Sequence, residues 1–258
     1  MNTQEIIRAI PRGTMLIVQA SFSPCKKEGM TPAGVIALLR EQLGPDGTLM
    51  MPTFSYNYSK KVNIKPYDRE TTPGLSNGIL SETFRQMPGV RRSNNPTYSV
   101  AAAGKFAFEV TDGAKDNAGL GFHSSYENAL KLNARILLLN VGNNRNSMLH
   151  YAEIASGVPY NDIPFRESWG RTALTLQGEM DLGNTFPACS EEFSKFDDLF
   201  VRQGFAVKLG NSFLIDAPAM VEFIIGEIRK QPDIMLCHNP ECEPCTLRRK
   251  RLAERGLI

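Results

Sequence analysis

The sequence predicts a single α/β domain with a central, mostly buried β-sheet flanked by helices. Three observations predict it. Short apolar runs rich in strand formers, at residues 15–19, 48–52 and 134–141, alternate with helical segments, which is the pattern of a sheet covered by helices. Of the 258 residues, 42% are hydrophobic and 22% charged, enough to build a sizeable core and unlike a disordered chain. No internal repeat or low-complexity tract breaks the alternation.

The elements follow in order. MLIVQ (15–19) is the first strand, followed by a polar loop, SFSPCKKEGM. Thr31 then supplies an N-cap and Pro32 a first-turn proline for a helix over 32–43, which Gly44 and the turn at 45–47 stop. Residues 48–52 return as a strand. The polar stretch 55–77 has no period, and loops of that length inside a domain are usually functional. A helix over 78–86, a strand over 98–102 and a helix over 124–132 come next. ARILLLNV (134–141) is the best buried-strand candidate. A helix over 147–156 ends at Gly157 and Pro159. Residues 170–186 read as a hairpin around Gly178. Residues 191–235 read as helix, strand, turn at Gly210, strand and a last helix. The expected organisation is one domain over 1–235 and a Cys-rich basic tail over 236–258.

The net charge of +2 argues against a dedicated nucleic-acid surface, which concentrates Lys and Arg more strongly. The opening MNTQEIIRAIPRGT is amphipathic, unlike a secretory leader, and apolar runs such as 136–139 fall far short of a bilayer span. Five cysteines, an odd number, fit reduced thiols. The expectation is a cytoplasmic protein with no membrane or nucleic-acid partner; oligomeric state is open.

The chemistry concentrates in LLLNVGNNRNSMLHYAEIASGVPY (137–160). A buried strand runs into a polar turn, and a helix starts at Ser147. His150 falls in its first turn and Glu153 three residues later, on the same face. The positive end of the helix dipole favours a neutral, proton-accepting imidazole, and Glu153 can fix its tautomer. A lone His–x–x–Glu is more often a surface pair. The strand-end position and the presence of only three histidines favour a catalytic base.

Around this stretch, several blocks stand in order along the chain: GTMLIVQAS (13–21), DGTLMMPTFS (46–55), Thr72-Pro73, GILSETFR (78–85), GVRRSNNP (89–96) with Ser99, and NSMLHYAE (146–153). Together the blocks, over about residues 10–225, resemble the aminoglycoside 3-N-acetyltransferase family, enzymes that acylate amines from acetyl-CoA. The resemblance implies that family's fold and transfer of an acetyl or short acyl group from coenzyme A to the amine of an amino sugar. It requires no metal for catalysis and no acyl-enzyme. It implies His150, oriented by Glu153, as the base, with the Ser147 hydroxyl or backbone N–H groups meeting the oxyanion. Lys26, Lys27, Arg91 and Arg92 are the cations expected at the coenzyme phosphates, with Ser21, Ser93 and Asn95 beside them. Tyr56, Asp68, Glu82 and Tyr151 are expected on the acceptor side. Two positions depart from the family pattern, Gln19 and Asn95 each standing where a histidine is usual. No acidic cluster lies near the motifs, so a nucleotide-linked amino sugar is expected rather than a polycationic aminoglycoside drug, which is the alternative.

Two motifs carry other readings. Gly74-Leu-Ser-Asn-Gly78 matches G-x-S-x-G, but PYDRETTP before it cannot form the buried strand a nucleophile elbow needs. His123-Ser-Ser reads as a loop and helix N-cap. In the tail, Cys237, His238, Cys242 and Cys245 offer thiolates and an imidazole of the kind zinc takes, yet without two separated ligand pairs. The expectation is an exposed, metal-free tail, the competing class being a non-catalytic zinc-pinned binding module.

Overall fold

The computed structural model describes residues 1–55, 65–164 and 171–258. Asn2 caps α1 (Thr3–Arg8) in a reciprocal capping box with Glu5, which stabilises an otherwise short helix. β1 (Met15–Ala20), α2 (Ser23–Lys27), α3 (Pro32–Leu43) and β2 (Thr48–Pro52) follow. Thr31 caps α3 by accepting from the Gly34 N–H. Then come α4 (Gly78–Arg85), β3 (Arg91–Arg92), β4 (Val100–Gly104), α5 (Ala107–Thr111), α6 (Ser125–Lys131), β5 (Arg135–Leu139) and α7 (Ser147–Ala155). The hairpin β6 (Thr172–Thr175) and β7 (Gly178–Asp181) precedes α8 (Asp197–Arg202), β8 (Ala206–Leu209), β9 (Ser212–Asp216), α9 (Ala217–Lys230) and α10 (Glu243–Glu254).

Seven strands form one sheet in the order β3-β4-β2-β1-β5-β9-β8. The central three are parallel, with Ile17 opposite both Met50 and Ile136, and the flanking pairs are antiparallel. β1, β2 and β5 read as continuous apolar runs because both faces of the sheet are covered. Alternate residues feed two cores. Leu16, Val18, Leu49, Met51, Leu137 and Leu139 pack with Ile6 of α1, Val35 and Leu39 of α3 and Phe84 of α4. Ile17, Met50, Ile136 and Leu138 pack with Tyr126 of α6, Met148 and Ala152 of α7 and Ile224 of α9.

Several expected elements shift. The strand read over 98–102 runs two residues later, over Val100–Gly104. The polar loop after β1 contains α2, which has a proline in its first turn. Residues 236–258, read as a separate exposed tail, carry α10 and place Cys245 and Leu252 in the same core as α7 and α9. Among the described residues no helix is long and apolar enough to cross a membrane.

Candidate active site

From β1 the chain passes to α3 on one face of the sheet, and from β5 it passes to α7 on the other. Two adjacent parallel strands whose connections leave to opposite faces open a crevice at their C-terminal ends. A cleft of about 1610 Å³ lies there, lined by Gln19 near the end of β1, Ser21 after it, Phe54 after β2, residues 140–142 and 144–147, His150, and residues 187–191. Its volume exceeds that of an ordinary single-ligand pocket, leaving room for two substrates side by side.

The turn between β5 and α7 is tightly built. Asn140 takes a positive φ of 56°, which asparagine tolerates better than most side chains. Asp197 Oδ1 accepts from both the Asn143 N–H and its Nδ2 at 2.8 Å. A Cβ on Gly142 would lie 2.6 Å from Asp197 Oδ2, so a side chain there would push the Asp197 carboxylate off Asn143. Asn146 caps α7, its Oδ1 accepting from Met148 N–H at 3.2 Å. This frame sets Ser147 and His150 at the cleft.

Gln19 spans from β1 to the start of α7: its Nε2 donates to Ser147 Oγ at 2.8 Å, and its Oε1 accepts from Ser147 N–H at 3.0 Å. The expected backbone oxyanion donors are therefore engaged at Ser147 and Met148, and the Ser147 hydroxyl proton is what α7 offers the cleft. His150 Nδ1 lies 3.4 Å from Glu153 Oε2, and the same oxygen accepts from Ala188 N–H at 3.0 Å. The His150 side chain is 13% exposed and that of Glu153 is fully buried. Phe193 flanks the imidazole, ring centroids 5.1 Å apart. Burial, and after it the Glu153 carboxylate, raises the Tyr160 phenol well above its ordinary value. The pair is thus a carboxylate in a dry setting behind an imidazole whose other nitrogen is free for chemistry.

The remaining expected residues divide. Ser21 and Lys26 line the cleft, while Lys27 is exposed beside it. Arg92, Ser93 and Asn95, expected at the coenzyme, are committed inside the protein. The Arg92 guanidinium serves the Thr53, Thr72 and Arg69 carbonyls. Ser93 Oγ accepts from Val100 N–H, and Asn95 Oδ1 accepts from Thr97 and Tyr98 N–H groups. Arg91 pairs with Asp112 at 2.9 Å. On the acceptor list, Glu82 is buried and spent on Arg85, Gly74 N–H and Gln86. Asp68 closes its own turn onto Glu70 N–H and Thr71. Tyr151 packs edge-on against Phe122 and is not among the described residues that line the cleft. Tyr56 lies outside the described residues.

Residues the sequence reading missed include Phe54 and Tyr98, which pack edge-to-face at 5.3 Å and line the cleft. Arg145 and Glu191 also line it. Arg145 sits in the same turn as the recognised block and was within reach of that reading. Ala188, which acts through its backbone N–H, carried no signal. In the tail, Cys237, Cys242 and Cys245 converge with Cys189, while His238 turns to Glu192, its Nδ1 at 2.8 Å from Oε2.

A mixed seven-stranded sheet with a histidine–carboxylate pair beside a cleft roomy enough for two substrates at its switch point is the arrangement of an α/β group-transfer enzyme. The chain belongs to the aminoglycoside 3-N-acetyltransferase family, whose model matches residues 17–228, and is an acyl-CoA-dependent transferase. It is 31% identical over 240 residues to aminoglycoside N(3)-acetyltransferase IV from Salmonella, covering 89% of this chain and 85% of that one. The crystal structure of aminoglycoside acetyltransferase AAC(3)-IVa as apoenzyme superposes with a TM-score of 0.77 at 29% identity, covering 96% of this chain and 97% of that one. A histidine-to-alanine mutant of AAC(3)-IVa in complex with a gentamicin matches at TM-score 0.76 and 28% identity, covering 96% of each chain. AAC-IIIb, solved as a binary complex with CoASH, shares the fold at TM-score 0.73 and 22% identity over 90% of this chain and 97% of that one.

Proposed function

We propose that this protein transfers the acetyl group of acetyl-CoA directly to an amino group of an amino sugar, with an aminoglycoside as the acceptor class. The observation that carries this reading is His150 at the cleft wall with the buried Glu153 carboxylate 3.4 Å behind it. An ammonium group cannot attack a thioester until it loses a proton. Nε2 of His150 takes that proton, directly or through water, while Glu153 holds Nδ1–H and stabilises the imidazolium. The Ser147 hydroxyl, fixed by Gln19, donates to the developing oxyanion. Lys26 offers the coenzyme phosphates a cation. The gentamicin complex and the CoASH complex of the relatives support the two substrates.

A second acceptor, a nucleotide-linked amino sugar, is favoured by one observation. Among the described lining residues the formal charges are Lys26 and Arg145 against Glu191, a balance better suited to an anionic acceptor than to a polycation. Release of the CoA thiol from acetyl-CoA, with panels of aminoglycosides and of nucleotide-linked amino sugars, tests both. Turnover with an aminoglycoside, lowered about 10²–10⁴-fold in His150→Ala with coenzyme binding retained, is expected. Turnover only with nucleotide-linked sugars selects the second reading. Full activity in His150→Ala removes His150 as the base.

A further inference from the structure

We infer that Cys189, Cys237, Cys242 and Cys245 form a structural zinc site that fastens the C-terminal helix to the wall of the cleft. The four sulfurs all lie within 4.8 Å of one another. A zinc tetrathiolate with metal–sulfur bonds of ~2.3 Å has tetrahedron edges of about 3.8 Å, so small side-chain adjustments close the site. All four cysteines are free thiols, and Cys189, Cys237 and Cys245 are buried. They come from three places: the loop after β7, the segment after α9, and the start of α10, where Cys242 is the N-cap. Four mutually close sulfurs from separate segments are what a tetrahedral metal needs; a disulfide needs two.

The surroundings suit a thiolate centre. The Glu191 N–H donates to Cys189 Sγ at 3.4 Å. Such N–H groups hold first ligands in place and spread their charge. Zinc enters as a hydrated dication, four thiol protons leave, and the product carries a net charge of −2. Cations are in place to meet it. Arg249 binds the Cys237 and Leu236 carbonyls at 2.6 and 3.1 Å. Arg248, one helical turn after Cys245, is fully buried, and its Nε and Nη1 have no hydrogen-bond partner among the described residues. A buried guanidinium with unmet donors is costly on its own, and an anionic metal centre nearby offsets that cost.

The site connects to the chemistry through one residue. Cys189 follows Ala188, whose N–H holds Glu153, and Arg248 donates to the Pro187 carbonyl at 3.1 Å. The metal would thereby clamp the 187–191 wall to α10. The function is structural: four protein thiolates leave no open position for a substrate.

Elemental analysis of the full-length protein, purified without a polyhistidine tag, tests the inference independently of turnover. About one zinc per chain is expected, released when the thiols are mercurated. The zinc is lost in Cys242→Ser and Cys245→Ser and retained in His238→Ala. If the serine variants fail to fold, cobalt(II) loaded into the wild-type protein decides the ligand set, through the intense thiolate-to-metal absorption of a tetrathiolate. Wild-type protein that holds no zinc, and after reduction takes up neither zinc nor cobalt, overturns the inference. So do iron in place of zinc, disulfides detected by intact mass, or zinc lost in His238→Ala.

Discussion

Replacing Glu153 with glutamine isolates the charge behind His150, the proposed base. Glutamine keeps the shape of the side chain and an oxygen to accept from Ala188 N–H, so the 187–191 wall stays in place. What disappears is a unit negative charge 3.4 Å from His150 Nδ1. At an effective dielectric of about 20, that charge stabilises a full imidazolium by about 5 kcal/mol. With the proton about half transferred in the transition state, the share lost is about 2.4 kcal/mol, or roughly sixty-fold in kcat. His150→Ala should lose more, because it removes the base itself. The assay is CoA thiol release under saturating substrates, with thermal unfolding measured in parallel. A Glu153→Gln enzyme within about twofold of wild-type kcat, at unchanged Tm, would refute the reasoning that the carboxylate supports proton transfer.

Three further outcomes are expected. Gln19→Leu leaves the Ser147 N–H and hydroxyl buried without their partner, at about 2–4 kcal/mol, or roughly 5–15 °C in Tm for a chain of this size; unchanged Tm would show that water replaces the amide. Lys26→Ala should raise the KM for acetyl-CoA about fivefold with little change in kcat, as for a partly exposed ionic contact. A raised acceptor KM instead would move Lys26 to the other substrate. For Glu82, burial alone would raise the carboxyl pKa, but Arg85, Gly74 N–H and Gln86 outweigh it and hold it below the ordinary value. Its contribution to stability is therefore present above the unfolded carboxylate pKa of about 4.3 and is lost as pH falls through the lower folded value. Urea midpoints should show Glu82→Gln less stable than wild type at pH 7, with the gap closing below pH 4; a gap independent of pH would refute it.

The family, the sheet's central strands and the His150–Glu153 pair were all legible in the chain because each is local. Residues 15–20, 48–52 and 135–139 announce themselves as strands by apolar runs that a sheet covered on both faces requires. His150 and Glu153 share a face simply because they are three residues apart on a helix whose cap, Asn146, adjoins them. Three-dimensional contact decided the rest. Arg92, Ser93 and Asn95 looked available for phosphates, but buried backbone carbonyls and N–H groups need partners and take them. Glu82 was likewise spent on Arg85. Gln19 meets Ser147 across 128 positions, and Cys189 joins Cys237, Cys242 and Cys245 from at least 48 positions away, where no spacing rule reaches. The sequence by itself determined which apolar segments form strands and which histidine follows the most buried of them. Only the tertiary structure decided which polar side chains remain free for substrates, because that depends on which buried groups fold against them.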